Sequence, residues 1–195
     1  MYVVAAGVVV SDVRWPQARD WFVLVAGWPG SGKSTVARAL ATELCLPLLA
    51  KDEIKEALMD GLGRPNTVAD SRRLGKAAVL AMLRVARHCP GAVLDSTWYD
   101  YALPLASALP GQLAGVHCVL PRSVARSRYL ARAAGRHPGH LDMARSDTEL
   151  WGAPSRPPGL GPVIPVDTTG PVDTAHLAAA LAQALASDGQ GRTLG

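Results

Sequence analysis

Residues 27–35 constrain this chain more than any other stretch, because they read GWPGSGKST and fit the phosphate-loop pattern G-x-x-x-x-G-K-[ST]. Glycines in such a loop let successive backbone N–H groups approach phosphate oxygens. The lysine adds positive charge at the β and γ phosphates, and the hydroxyl of Ser34 is placed to ligate Mg²⁺. The predicted nucleotide-binding residues are Gly27, Pro29, Gly30, Ser31, Gly32, Lys33, Ser34 and Thr35.

The segments on either side of this loop have the character that the motif requires. Residues 21–26 form a short apolar run suited to a buried strand, and residues 36–44 have the pattern of a helix. Strand, glycine-rich loop and helix together favour a phosphate-binding loop over a glycine-rich turn with an incidental lysine.

Composition limits the remaining possibilities. The chain has 195 residues, 49% of them hydrophobic, which is enough for one domain with a packed core. Its net charge is +4, and arginines are concentrated between residues 122 and 145. Local basicity of this kind points to a phosphate site more than to a duplex-binding face, so nucleic acid is not the expected partner.

The cysteines and the first ten residues bear on location. The three cysteines are widely separated and have no C-x-x-C spacing, so they indicate neither a disulfide framework nor a zinc site. We interpret them as buried, reduced thiols, which predicts a protein of the reducing cytoplasm. The apolar run 2–10 is too short to cross a bilayer and lacks the features of a signal peptide, so no membrane association is expected. We interpret it as an added strand or as an apolar arm. Such an arm could be used in self-association, so a homodimer is one of the alternatives.

Strands and helices alternate along the rest of the chain. Further strands are expected at 46–50, 92–94, 115–120 and 163–167. Helices are expected at about 33–45, 53–60, 70–88, 103–109, 122–134 and 174–186. The predicted fold class is α/β, a P-loop NTPase three-layer sandwich with a mainly parallel five-stranded sheet and helices on both faces. It would form a single domain over 1–195, with an N-terminal extension at 1–20 and a frayed tail at 187–195.

A mobile arginine-bearing lid is also predicted. Residues 135–161 are rich in glycine and proline, and the lid itself is placed at 134–150. An arginine cluster spans the preceding helix and the start of this segment: Arg122, Arg126, Arg128, Arg132 and Arg136. Arg128 and Arg132 lie four residues apart on one helical face, and we expect this pair to stabilise the transferred charge. The others could be plain solvated charge.

Two aspartates are expected where strands end, which is where ligands bind in open α/β sheets. Asp95 follows the run 92–94 and is predicted to hold Mg²⁺ together with Ser34; the alternative is a residue that caps the next turn. Asp52 follows the run 46–50 and is predicted to be the general base toward an acceptor hydroxyl. Its alternative is the N-cap of a helix that begins at Glu53, and one residue could perform both tasks.

Three further residues are assigned to the acceptor. Lys55, one helical turn beyond Asp52, could bind an anionic group, or it could lie on a solvated helix face. Trp98 and Tyr99 could line an acceptor pocket, with a core role for one of them as the alternative. None of the five histidines has ligand-like spacing, so none is assigned to metal.

Four motifs, GWPGSGKST, LAKDEIKEAL, AVLDSTWY and SVARSRYLAR, carry a family resemblance over about residues 21–135. The chain resembles the small P-loop kinases grouped with zeta toxins, chloramphenicol phosphotransferase and the kinase domain of bacteriophage polynucleotide kinase. The resemblance implies that the loop binds ATP with Mg²⁺ and that Asp52 is the general base. It also implies that Lys55 touches the acceptor, that Asp95 is the carboxylate of the third motif, and that Arg128 and Arg132 are lid arginines.

The chain departs from this group at two places. Asp95 is followed by Ser-Thr-Trp, where the group often has Asp-x-Thr-Asn, which leaves the acceptor contacts beyond Asp95 open. Residues 56–80, in the acceptor-binding region, match nothing distinctive.

The predicted function is ATP-dependent phosphorylation of a hydroxyl on a small molecule, such as a nucleoside or an antibiotic. One alternative is a nucleic-acid end kinase, which the modest net charge and the lack of stacking aromatics near Lys55 disfavour. Another is an ATPase or nucleotide-binding switch. Such modules usually have a catalytic glutamate next to the Walker B aspartate, and Ser96 occupies that position here.

Overall fold

The structure is a computed structural model that describes residues 20–133, 135–153 and 155–192. Apart from Asp20, the predicted N-terminal extension lies outside the described residues. The interpretation of residues 2–10 as a strand or arm, and the homodimer with it, therefore stay predictions.

Five parallel strands form one sheet, as the alternation of strands and helices predicted. The strands are β1 (Trp21–Gly27), β2 (Leu48–Ala50), β3 (Ala92–Asp95), β4 (Gln112–Val119) and β5 (Val163–Asp167). Their order across the sheet is β2-β3-β1-β4-β5, and every neighbouring pair is parallel. Strand β1 is central, so the loop that follows it leaves the middle of the sheet at its carboxyl edge.

Helices surround the sheet. They are α1 (Lys33–Leu44), α2 (Lys51–Leu62), α3 (Val68–Ala86), α4 (Leu103–Ser107), α5 (Arg122–Ala133), α6 (Asp147–Trp151) and α7 (Thr174–Arg192). Short 3₁₀ turns lie at Asp100–Ala102, Pro138–His140 and Asp142–Ala144.

Strand β1 shows why both faces of the sheet are covered. Successive side chains of a strand point to opposite faces, and here both sets are apolar and fully buried. Phe22 and Leu24 pack in a cluster with residues of α3 and α4. Val23 and Val25 pack in a second cluster with residues of α1 and α7. A strand that is apolar on both faces is typical of a parallel sheet between two helical layers.

Two helix boundaries differ from those predicted. Helix α2 begins at Lys51, with Ala50 as its N-cap and no capping side chain, so Asp52 lies inside the first turn. The interpretation of Asp52 as an N-cap is therefore wrong. Helix α7 continues to Arg192, although the tail was predicted to fray from residue 187. The alanine- and leucine-rich sequence before that point favours continuation of the helix.

The predicted lid segment is structured and packed. Trp151, at the end of α6, is 2% exposed and meets the ring of Tyr129 on α5 edge-on, with ring centroids 5.3 Å apart. His140 is also buried. A lid that moves stays a prediction.

The cysteines and the helices bear on the remaining predictions. All three cysteines are free, as their spacing predicted, but Cys118 is buried whereas Cys45 is exposed and Cys89 half-buried. Over the described ranges, no helix combines the length and apolar character needed to cross a bilayer.

Candidate functional site

A cleft of about 700 Å³ lies at the carboxyl edge of the sheet, within the usual size range of small-ligand sites. It is bounded by the loop after β1, the first turns of α2, one face of α3, the residues that follow β3, and the segment after α5. Most predicted site residues line it. Those that line it are Gly27, Pro29, Gly30, Gly32, Lys33, Ser34, Asp52, Lys55, Asp95, Trp98, Tyr99 and Arg132.

The conformation of the loop requires its glycines. Gly32 has φ of 83° in the left-handed region and is the N-cap of α1, so the first N–H groups of that helix face the cleft without a side-chain cap. Gly30 also has positive φ, and a Cβ there would collide with the carbonyl oxygen of Ala125 on α5. A loop that exposes a helix N-terminus in this way is suited to binding an anion.

Lys33 folds back into the loop. Its Nζ donates a hydrogen bond to the carbonyl oxygen of Trp28, 2.8 Å away. Burial lowers the pKa of Lys33, and the nearby charge of Asp95 opposes that shift. The buried hydroxyl of Ser31 has no hydrogen-bond partner among the described residues. A loop with one buried cation and one unpartnered buried hydroxyl fits an anionic ligand.

Asp95 ends β3 directly beside β1, where it is paired in register with Val25. It is 6% exposed. Burial raises the pKa of its carboxyl, whereas Lys33 and a hydrogen bond with Ser34 lower it. Carboxylate and hydroxyl oxygens are ligands that Mg²⁺ accepts. Among the described residues, no group of three or more His, Cys, Asp or Glu is arranged to hold a metal. Mg²⁺ in nucleotide sites is usually bound by one or two carboxylates, several waters and phosphate oxygens of the substrate.

Asp52 is held by two cations. Lys51 Nζ lies 2.6 Å from its Oδ1, and Arg136 donates to its Oδ2 at 2.8 Å. Burial raises the pKa of this carboxyl, but Lys51 and Arg136 together outweigh it and hold the pKa well below its usual range. Asp52 is therefore ionised at neutral pH, as a general base must be, but it is a weak base while both cations remain in place.

Lys55 is buried in the cleft wall, with only 2% exposure. Its Nζ donates to the hydroxyl of Ser71 on α3 at 2.7 Å. Burial, with contributions from the charges of Lys51 and Arg145, lowers the pKa of Lys55 to about 8. The alternative interpretation as a solvated helix face is therefore wrong.

The two aromatic residues after β3 take different roles. Trp98 is half-buried, packs against the apolar cluster that includes Phe22, and donates from its indole N–H to the carbonyl oxygen of Val25 at 3.0 Å. Tyr99 is 56% exposed and stacks on Tyr101 at 5.8 Å. Both line the cleft, and Trp98 also packs against the core.

The structure separates the predicted arginine pair. Arg132 lines the cleft and lies over the ring of Tyr129 at 5.6 Å. Arg128 is not part of the cleft lining: its guanidinium donates to the carbonyl oxygens of Thr168 and Thr169, both at 2.7 Å. The two residues share a helix, but their side chains diverge, because the loop after β5 offers two acceptors to Arg128. Pairing it with Arg132 by spacing alone was wrong.

Arg136 lines the cleft, whereas Arg128 does not. Besides its bond to Asp52, it forms an ion pair with Asp142 at 2.7 Å. Sequence reasoning placed Arg136 in the arginine cluster but did not select it. Other cleft-lining residues that it did not assign to the site include Ser71, Arg72, Lys76, Tyr101, His140, Arg145 and Glu149.

A signal for some of these contacts was present in α2. Its carboxylates at positions 52, 56 and 60 recur every four residues and form an acidic stripe on one helix face. Each receives a basic residue from the segment after α5. Arg136 lies 2.8 Å from Asp52, His140 lies 2.6 Å from Glu56 and His137 lies 3.1 Å from Asp60. An acidic stripe next to a glycine-rich segment with several basic residues predicts such docking.

Comparison with known families gives a clear assignment. The model of the family AAA_33, described as an AAA domain, matches residues 22–150. The chain belongs to this family. The matched region includes the phosphate loop, Asp52, Lys55, Asp95 and Arg136, which are the residues that build the cleft.

Solved structures show what this AAA_33 chain resembles. A protein of Chloroflexus aurantiacus that has been proposed to be a kinase is 30% identical, with a TM-score of 0.72 over 87% of this chain and 100% of that protein. A sugar kinase from a Janibacter species and the shikimate kinase of Acinetobacter baumannii with bound shikimate share the fold at 18% and 16% identity. Both have TM-scores of 0.50 over 86% of this chain, covering 95% and 93% of those proteins. The chain therefore has a kinase-like P-loop NTPase fold.

Curated relatives are longer than the AAA_33 chain. Uncharacterised proteins of Mycobacterium bovis and Mycobacterium tuberculosis are 33% identical in an alignment of 137 residues that covers 62% of this chain. The match spans 27% of each relative's length.

Proposed function

We propose that this AAA_33 domain is an ATP-dependent kinase that transfers a phosphoryl group to a hydroxyl of a small molecule. One observation carries the proposal: an ionised, partly exposed aspartate, Asp52, lines the same cleft as the phosphate loop and Asp95. A phosphate loop and one metal-binding carboxylate suffice to bind a nucleotide. A second carboxylate that can accept a proton is what transfer to a hydroxyl additionally requires.

The resemblance to known kinases supports the same proposal at a finer level. The motifs around Lys33, Asp52 and Asp95 resemble those of the zeta toxin, chloramphenicol phosphotransferase and polynucleotide kinase group. The fold shared with a sugar kinase and a shikimate kinase is in keeping with a small acceptor. Nucleosides, nucleoside-like antibiotics and other small alcohols are the first acceptors to test. We also propose a cytoplasmic location, on the basis of the three free thiols.

The loop residues would bind ATP. Backbone N–H groups at the start of α1 and the ammonium of Lys33 would hold the β and γ phosphates. The hydroxyl of Ser34 and the carboxylate of Asp95 would hold Mg²⁺, directly or through water. When bound, the metal neutralises charge that develops on the phosphate oxygens.

In the transfer step, the acceptor oxygen forms a bond to the γ phosphorus as the bond from that phosphorus to the β–γ bridging oxygen breaks. ADP leaves with the bridging oxygen, and the acceptor's hydroxyl proton passes to a carboxylate oxygen of Asp52. Arg132 and Arg136 would stabilise the charge on the transferred group. Arg136 must first release Asp52, because a carboxylate held by two cations is a weak base.

The decisive experiment measures ADP release with a panel of hydroxyl acceptors, for wild type and for Asp52→Asn. We expect acceptor-dependent turnover that falls by at least about 10² in the variant, with ATP binding nearly unchanged. Asp60→Asn is the matched control, because Asp60 lies on the same helix face but outside the cleft lining. Retained turnover in Asp52→Asn would remove Asp52 from the base role.

The same assay separates the competing functions. ATP hydrolysis that does not depend on any acceptor would indicate an ATPase or switch module. Transfer only to an oligonucleotide with a free 5′ hydroxyl would indicate a nucleic-acid end kinase.

A further inference from the structure

Every lysine of this chain lines the cleft. The sequence contains four lysines among 20 basic residues, and Lys33, Lys51, Lys55 and Lys76 all border the same cavity. In total, nine Lys and Arg side chains line it, against four Asp and Glu. The cleft therefore holds more excess positive charge than the whole chain, whose net charge is +4.

The four carboxylates are already engaged. Asp52 pairs with Lys51 and Arg136, and Asp142 pairs with Arg136. Glu149 pairs with Arg72 and Arg145, and Asp95 lies beside Lys33. Within the described residues, the cleft cations that form no ion pair with a carboxylate, apart from Lys33, are Lys55, Lys76, Arg132 and Arg156.

Lys55 is the most informative of these cations, because it is the most buried. It is 2% exposed, and its hydrogen-bond partner is a neutral hydroxyl, that of Ser71. A second cation shares that partner, since Arg145 Nη2 lies 3.4 Å from the same oxygen. Burying an ammonium without a carboxylate is costly, and a bound anion would remove most of that cost.

The cleft wall beside Lys55 carries a second lysine. Gly75 on α3 adds no side chain to this wall, and a Cβ there would be in ordinary van der Waals contact with the Lys55 stem, at 4.0 Å. Lys76, the next residue, also lines the cleft, and its ammonium lies 5.0 Å from the centre of the Tyr101 ring. Two lysines that form no ion pair, one on α2 and one on α3, therefore border the same cavity.

This cationic wall is distinct from the phosphate loop. Lys55, Ser71, Gly75 and Lys76 belong to α2 and α3, whereas the nucleotide phosphates would lie at residues 27–35 and the start of α1. The wall is nevertheless close to the proposed base. Lys55 follows Asp52 by three residues, a rise of about 4.5 Å along the helix.

We propose that the acceptor is itself an anion, a small hydroxylated carboxylate or phosphate monoester, whose charged group binds to Lys55, Arg145 and Lys76. The inference rests on the proposed kinase function. Because Lys55 and Asp52 are one helical turn apart, the reacting hydroxyl lies only a few bonds from the charged group. Neutral sugars and nucleosides lack the group that this wall recognises, so they are poor acceptors.

A binding experiment tests the site without turnover. The protein is saturated with Mg²⁺ and a non-hydrolysable ATP analogue, so that the phosphate loop is occupied. Sodium phosphate, sodium gluconate or neutral sorbitol is then titrated at constant ionic strength, with calorimetric detection. We expect saturable binding of at least one anion, none of sorbitol, and at least about tenfold weaker anion binding in Lys55→Met.

The variants are chosen so that misfolding does not confuse the result. Methionine keeps the length of the buried stem at position 55, and Lys76→Met provides a second variant at the other unpaired ammonium. Arg84→Met is the matched control, because Arg84 is an exposed cation of α3 that does not line the cleft. Equal anion binding by wild type, Lys55→Met and Lys76→Met would overturn the proposal, as would the absence of saturable anion binding.

A turnover experiment identifies the anion. ADP release is compared for matched acceptors: a hexose, its aldonate and its 6-phosphate, and a nucleoside with its 5′-monophosphate. Preference for the aldonate indicates a carboxylate, and preference for the phosphorylated members indicates a phosphate monoester.

The two proposals fail in different ways. Efficient phosphorylation of a neutral acceptor, unchanged in Lys55→Met, would overturn the anionic acceptor but leave the kinase intact. Specific anion binding together with acceptor-independent ATP hydrolysis would overturn the kinase but leave the anion site.

Discussion

Arg136 donates to Asp52 across 84 residues of sequence, with its Nη2 2.8 Å from Oδ2. The same guanidinium holds Asp142 through its other terminal nitrogen at 2.7 Å. One arginine therefore connects the segment after α5 to the carboxylate that we propose as the general base. The basicity of Asp52 depends on whether this contact is made.

Replacing Arg136 with glutamine should raise the pKa of Asp52, because one of the two cations that hold it down is lost. A carboxyl with a depressed pKa stays ionised down to a lower pH than usual. Its stabilising ion pairs are therefore lost only when the pH falls through that depressed pKa. We therefore expect the acid limb of the kcat/KM profile to move to higher pH in Arg136→Gln. Arg126→Gln, which breaks the exposed pair with Asp147, should leave that limb in place.

Substitution of Arg132 should impair catalysis, whereas substitution of Arg128 should lower thermal stability. Arg132→Ala removes a cation that lines the cleft, and we expect kcat to fall by about 10² or more. Arg128→Ala removes two hydrogen bonds to the loop after β5, and should lower Tm by about 2–4 °C with little change in kcat. Steady-state kinetics and thermal unfolding of both variants check this. A large kcat loss in Arg128→Ala would restore it to the site.

Lys55 should make the folding stability of the ligand-free protein depend on pH in the alkaline range. Its pKa is lowered to about 8 in the folded state, so the unfolded chain binds more protons between about pH 8 and 10.5. The free energy of unfolding should therefore rise with pH over that window, by on the order of 3 kcal/mol. Lys55→Met should be more stable than wild type at pH 7 and should lack this rise, whereas Arg84→Met should keep it. Urea unfolding at pH 7 and pH 10 measures both effects.

Two glycines provide a matched pair of alanine substitutions. At Gly30, φ is 80° and an added Cβ would collide with the carbonyl oxygen of Ala125. Gly30→Ala should therefore distort the loop and weaken ATP binding by at least tenfold, a loss of about 1.4 kcal/mol in binding free energy. Gly61 lies in helix α2 with nothing within 4 Å of an added Cβ. Gly61→Ala should raise stability by about 0.5–1 kcal/mol and leave ATP binding unchanged. ATP titrations and urea unfolding of the two variants test the contrast.

Local patterns predicted the sheet and much of the cleft. Short-range rules for strands, turns and helices are enough to predict the strand at 21–26, the glycine loop after it and the aspartate that ends the run at 92–95. A further rule, that ligands bind beyond the strand ends, places the cleft there. In a parallel sheet these rules also place Lys33 and Asp95 together, because the ends of neighbouring strands meet at one edge.

Side-chain direction and long-range pairing could not be obtained in the same way. Arg128 and Arg132 have the same helical spacing as any i, i+4 pair, and only the carbonyl oxygens of the loop after β5 draw Arg128 away. Arg136 reaches Asp52 because the segment between α5 and α6, which contains only short 3₁₀ turns, docks on α2. Propensity carries no information on where such a segment lies.

The placement of the lysines has a practical consequence. Because all four border one cavity, chemistry directed at side-chain amines touches this protein in a single place. Acetylation, biotinylation or cross-linking through lysine would modify the cleft before any other surface, so a lysine-reactive reagent can act as a site-directed inhibitor. Surface labelling that must spare activity needs a cysteine instead, and exposed Cys45 is available for it.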